Sequence, residues 1–187
     1  MENAVIKKNM RRIITIPNIL SFLRICLIPL IVWLYMDKKD YFLAGFFVLI
    51  SGLTDIVDGF IARRFNMISD LGKVLDPIAD KATQGVVVLL LVMDFPLMLI
   101  PLGIGIVKEI FMAITGYMII QKCDIVLGAH WYGKAATVVL TITMALHLFW
   151  HNINPTLSAV TIILSAASIL LALVLYANRN FGYLLKK

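Results

Sequence analysis

Six long apolar runs constrain this chain more than any other feature. They extend approximately from Ile19 to Met36, Phe42 to Phe60, Val74 to Met93, Leu97 to Ile120, Ala135 to Trp150 and Leu157 to Ala177. The hydrocarbon core of a bilayer takes about 20 helical residues. Most of the runs have that length, and the fifth is shorter. Hydrocarbon offers the backbone no hydrogen-bond partners, so each run is expected as a helix. The expected fold is therefore an all-α membrane protein with six transmembrane helices. A single domain is expected over residues 1–187, with a juxtamembrane segment at 1–16 and a six-helix bundle at 17–187.

Composition agrees. The 187 residues are 61% hydrophobic and only 15% charged, against about 45–50% and about 25% in soluble domains. The net charge of +6 raises a basic nucleic-acid binder, which the apolar runs exclude. On a membrane protein a basic excess marks cytoplasmic loops and anionic headgroups. The two cysteines, Cys26 and Cys123, have no paired spacing and are expected as free thiols. The basic start leads into a span that reads as permanent, with no cleavable signal expected.

The connections DKKD (37–40), MDFP (93–96) and HNINP (151–155) read as short caps, while RRFNMISD (63–70) and QKCDIVLGAHWYGK (121–134) are longer and polar. In a six-span model Lys7, Lys8, Arg11, Arg12, Arg63, Arg64, Lys73, Lys122, Lys134, Arg179, Lys186 and Lys187 fall on one side, and only Lys38 and Lys39 on the other. The positive-inside rule then places both termini in the cytoplasm. Before Pro17, basic residues alternate with Val5, Ile6, Met10, Ile13 and Ile14. That pattern suits an amphipathic helix on the cytoplasmic surface; the alternative is a loose basic tail.

The chemistry concentrates between Asp55 and Asp80. Asp55 and Asp58 are spaced i, i+3, and Asp76 and Asp80 are spaced i, i+4, so each pair shares a helix face. The pairs lie at the expected cytoplasmic ends of consecutive spans, and the loop between them can bring them face to face. Bare carboxylates at membrane depth are costly. All-oxygen ligands suit hard divalent cations, Mg²⁺ or Mn²⁺. Four negative charges balance two such ions, a known device for displacement at phosphorus. The alternative, interfacial solvating acids, predicts scatter. Here four of eleven acids occupy 26 residues with same-face spacing. Gly59 and Ala62 leave room beside Asp58 for a ligand or a neighbouring helix. Arg63 can clamp phosphate oxygens, or serve as a loop cation. Pro77 can kink the third span.

The pattern Asp-x2-Asp-Gly-x2-Ala-Arg-x8-Gly-x3-Asp-x3-Asp, matched at every fixed position from Asp55 to Asp80, resembles the hallmark of the CDP-alcohol phosphatidyltransferases. The resemblance implies that Asp55, Asp58 and Asp76 are metal ligands, and that Asp80 is the general base with a share in metal binding. It implies that Asp58, Gly59, Ala62 and Gly72 line the CDP pocket and that Arg63 contacts the diphosphate. It further implies two divalent cations, CDP-diacylglycerol as donor, a homodimer, and a site open to the cytoplasm. The stretch Ile16-Pro17-Asn18-Ile19-Leu20-Ser21-Phe22-Leu23-Arg24, then Pro29, is similar to the first span of bacterial phosphatidylglycerophosphate synthases, and occurs in cardiolipin synthases of the same superfamily. Asn18 either caps the first helix or contacts the nucleotide. Arg24 either snorkels or faces a polar site.

The expected acceptor is glycerol 3-phosphate, in the plasma membrane of a bacterium. Phosphatidylglycerol, giving cardiolipin, is the alternative, followed by serine or inositol phosphate. Phosphatidylglycerophosphate synthases usually carry Arg-Glu in span four, where this chain has Lys108-Glu109. They tend to carry Gly-Lys-x-Lys-Thr before span five, where it has Gly133-Lys134-Ala-Ala-Thr137. Lys134 and Lys108 are candidate acceptor-binding cations; a loop cation and an internal ion pair are the alternatives. His130 has no acidic or cysteine partner at ligand spacing. His147 and His151, spaced i, i+4, are expected as solvated residues at the opposite face; a metal site is the alternative that the spacing permits. Trp131, Trp150, Tyr35 and Tyr183 read as interfacial anchors. A divalent-metal transporter, the reading from another class, would place acids at the midplane, often within internal repeats, and neither is apparent.

Overall fold

The computed structural model describes the backbone of residues 16–64, 70–123, 128 and 130–185. The expected surface helix before Ile16 lies outside the described residues. Those described form six α-helices: α1 (Ile16–Met36), α2 (Tyr41–Arg64), α3 (Asp70–Asp94), α4 (Leu99–Cys123), α5 (Trp131–Phe149) and α6 (Pro155–Leu185). A 3₁₀ turn, Pro96–Met98, precedes α4. The chain divides into two compact units, Met1–Leu90 and Leu91–Lys187. In the first, α1 packs along α2; in the second, α6 packs against both α4 and α5.

Local chemistry explains the helix starts. After α1, Lys39 takes a left-handed backbone conformation with φ 53°. Asp40 Oδ1 then accepts the Leu43 N–H at 2.9 Å and caps α2. Asn154 Oδ1 likewise accepts the Thr156 N–H at 2.9 Å, ahead of Pro155 at the first position of α6. α3 is one continuous helix through Pro77.

All six helices are long, yet four of them are both long and apolar enough to cross a membrane: Asn18–Met36, Pro96–Lys122, Trp131–Phe149 and Pro155–Leu185. The two others are the helices that carry the acids. In α2 the described stretch Tyr41–Thr54 is apolar, and the side chains of residues 55–63 lie outside the described residues. α3 starts with Asp70, Lys73, Asp76, Asp80 and Lys81 before its apolar half. Their 24 and 25 residues correspond to about 36 Å of helix, so length is sufficient in both. α6 has 31 residues, about 46 Å, and continues past the expected end at Ala177.

Side-chain placement is inverted relative to a soluble protein. On α1, Ile19, Phe22, Leu23 and Trp33 are exposed, whereas Asn18, Ser21 and Arg24 are buried. On α4, Ile106, Val107, Ile110, Ile114 and Met118 are exposed. Such a large apolar exterior is intolerable in water and suited to lipid. Threonines inside the helices satisfy themselves on the preceding turn, as Thr83 does on Ala79 O and Thr115 on Phe111 O.

Candidate active site

The backbone places Asp55, Asp58, Gly59, Ala62 and Arg63 on the last turns of α2; their side chains lie outside the described residues. Asp70 opens α3 six residues after Arg64. An extended chain covers about 3.3–3.6 Å per residue, so these helix ends lie within about 22 Å.

On α3 the described residues are more informative. Gly72, Ala79, Thr83 and Val87 are buried at spacings of seven, four and four, one stripe of a helix. Asp76 lies on that stripe and is half-buried, while Asp80 is exposed at its flank. One turn of helix thus gives the two carboxyls different surroundings. The Ser21 hydroxyl of α1 donates to Asp76 Oδ1. The two stretches singled out in the sequence therefore meet: the α1 motif touches the α3 acids.

Around that contact α1 presents a polar face. Asn18 is 5% exposed, Ser21 0% and Arg24 1%. Further along, the same face turns apolar, with Ile31, Leu34 and Tyr35 buried. Arg24 therefore does not snorkel outward; it faces the interior of its unit. Asn18 lies within the helical residues of α1, so it is not the cap.

Among the described residues, no three His, Cys, Asp or Glu side chains come together as metal ligands. Asp55 and Asp58, half of the expected set, lie outside that description. The donor chemistry fits a hard divalent cation: carboxylate oxygens alone, with one carboxylate already oriented by a hydrogen bond.

In the second unit, Lys108 Nζ lies 2.9 Å from Glu109 Oε1 on α4, the internal pairing weighed above. Lys134, one turn into α5, is exposed. Its neighbour Gly133 has a packing role. A Cβ there would stand 2.9 Å from Tyr176 Cε2 and closer still to the phenol oxygen. Only glycine admits the α6 ring so near. Tyr176 Oη in turn accepts the His130 N–H at 3.1 Å, and Tyr132 meets the same ring edge-on at 4.6 Å.

Arg179 was counted from sequence only as a cytoplasmic-side charge. In the structure its guanidinium lies 5.0 Å from the Tyr176 ring centroid, and Nη1 donates to Gly128 O at 3.3 Å. Nη2 is buried with no hydrogen-bond partner among the described residues. The signal was present: Asn178, Arg179 and Asn180 are polar residues continuing an apolar helix. At the same end Asn180 donates to Thr115 Oγ1 at 2.7 Å, and Lys122 donates to Leu184 O at the end of α6.

Two expectations are corrected. His147 is not solvated but fully buried. Nδ1 faces Thr143 O at 2.8 Å and Nε2 faces Ser158 Oγ at 2.9 Å. A carbonyl can only accept, so Nδ1 carries the proton and Ser158 donates to Nε2. Spacing along α5 could not show that Ser158 of α6 stands opposite. Tyr35 is not an interfacial anchor either. It is 3% exposed and meets Tyr41 edge-on at 4.9 Å, because the α1–α2 turn folds over it. Trp131 and Trp150 are exposed, as expected of anchors, and so is Tyr183.

Comparison with known proteins bears on the family. A family model described as CDP-alcohol phosphatidyltransferase matches residues 14–176. A cardiolipin synthase (CMP-forming) from Rattus norvegicus is 33% identical over 174 residues, 88% of this chain and 53% of that protein. One from Streptomyces coelicolor is 43% identical over 76 residues, 37% of this chain and 35% of its own length. A CDP-diacylglycerol–glycerol-3-phosphate 3-phosphatidyltransferase from Rickettsia bellii is 37% identical over 78 residues, 41% of this chain and 43% of that protein. The chain spans about half or less of the length of the curated relatives it matches. It belongs to the CDP-alcohol phosphatidyltransferase family.

Proposed function

We propose that this family member transfers a phosphatidyl group from CDP-diacylglycerol to an alcohol and releases CMP. The observation that carries the proposal is the complete acid pattern from Asp55 to Asp80, with Asp76 held by Ser21. Asp55, Asp58, Asp76 and Asp80 would hold two divalent cations, Mg²⁺ or Mn²⁺, which supply charge neutralisation at the diphosphate oxygens. Asp80 takes the proton of the acceptor hydroxyl, consistent with its exposed position on α3. The acceptor oxygen bonds to the phosphorus that carries diacylglycerol. The bridging P–O bond breaks, and CMP leaves with the electron pair. Arg63 binds phosphate oxygens, while Asp58, Gly59, Ala62, Gly72 and Asn18 shape the nucleotide pocket. The acyl chains leave between helices into lipid.

The proposed acceptor is glycerol 3-phosphate. A dianionic phosphate beside an acid-rich site needs cations of its own. Lys134, exposed on α5, is the candidate for that role; Lys108, paired with Glu109, has less to offer. Phosphatidylglycerol is the second reading, favoured by the length of the match to the rat cardiolipin synthase. We further propose a single domain of six spans with a cytoplasmic surface helix, a homodimeric assembly in a bacterial plasma membrane, and a site and termini facing the cytoplasm. The deciding experiment is CMP release from CDP-diacylglycerol by purified protein with Mn²⁺, offered glycerol 3-phosphate, phosphatidylglycerol, serine or inositol phosphate in turn. Release with glycerol 3-phosphate alone is expected. Release with phosphatidylglycerol alone would transfer the assignment to cardiolipin synthesis, and no release with any acceptor would end the enzymatic proposal.

A further inference from the structure

We propose that Ser21 is a positioning residue for Asp76: its hydroxyl fixes one carboxylate oxygen so that the other is presented to a divalent cation. The inference rests on the reading of Asp76 as a metal ligand. Ser21 is wholly buried on the polar face of α1 and donates to Asp76 Oδ1 across 55 residues of sequence. A carboxylate on a helix side has two oxygens and a broad terminal torsion. Left alone, it samples orientations that a metal site cannot use. A hydrogen bond from a neutral hydroxyl to an ionised oxygen is charge-assisted. Ser21 itself sits in a helix packed on α2, so the donor is rigidly mounted. Serine at this place is small enough to be enclosed and still supplies a proton. Alanine would supply none, and cysteine, of similar shape, only a weak donor.

The test is Mn²⁺ binding to the detergent-solubilised full chain, read by electron paramagnetic resonance of free Mn²⁺, together with the melting temperature of the metal-free protein. Removing a partner that orients a metal ligand typically costs about 10–100-fold in affinity. Ser21→Ala and Ser21→Cys are expected to weaken Mn²⁺ binding by that factor at an unchanged metal-free melting temperature. Ser21→Thr, which keeps the hydroxyl, should bind close to wild type. Equal Mn²⁺ affinity in wild type and Ser21→Ala overturns the positioning role while leaving the metal site intact. So does an affinity loss that appears only with a lower metal-free melting temperature, since that is the mark of a packing residue. Wild-type protein that binds no Mn²⁺ overturns the metal reading itself, a separable result.

Discussion

The two compact units of this chain bury polar groups for different ends. In the first, the buried polar face of α1 leads to an acid on α3: Ser21 reaches Asp76, with Asn18 and Arg24 on the same face. In the second, buried polar groups tie helix to helix. His147 of α5 joins Ser158 of α6, and Asn180 of α6 joins Thr115 of α4. The first arrangement gives a buried donor to a carboxylate; the second joins one helix to another.

The comparison can be broken most sharply by chelation. If the acids of the first unit need external charge, EDTA should abolish CMP release, and Mg²⁺ or Mn²⁺ should restore it. Full activity after rigorous chelation would place that balance elsewhere. Asp76→Asn should lose both metal binding and turnover. Next in size is Asp80→Asn. Loss of a general base is expected to lower turnover by at least about 100-fold, while metal binding survives better than in Asp76→Asn. Near-normal turnover would move the base to another group.

In the second unit the effects should be smaller and of another kind. Lys134→Ala is expected to raise the KM for glycerol 3-phosphate about tenfold, the scale of one lost charge-assisted contact of about 1.4 kcal/mol. The KM for CDP-diacylglycerol should move much less. An unchanged acceptor KM would favour phosphatidylglycerol as acceptor. Smallest is Ser158→Ala, which removes the donor to His147 Nε2. Hydrogen bonds between membrane helices are worth about 0.6 kcal/mol on average, up to about 1.7. A melting temperature lowered by a few degrees at normal Mn²⁺ affinity is expected; altered Mn²⁺ affinity would erase the division of roles between the units.

The sequence by itself determined the helices, because a bilayer admits few forms of backbone and the apolar runs announce themselves. It pointed to the family as well, through the fixed spacings from Asp55 to Asp80 that resemble the family's pattern. The caps Asp40 and Asn154 were legible for a local reason. Spanning character was less legible for α3, whose first half carries Asp70, Lys73, Asp76, Asp80 and Lys81. Only the tertiary structure decided which helices meet at which turn. That Ser21 faces Asp76, that Tyr176 fills the space Gly133 leaves, and that His147 is enclosed rather than solvated are contacts between residues 55, 43 and 11 positions apart. Helical period places a side chain on a face of its own helix. It carries no information about the neighbour across the gap, which is fixed by the packing of whole helices against one another.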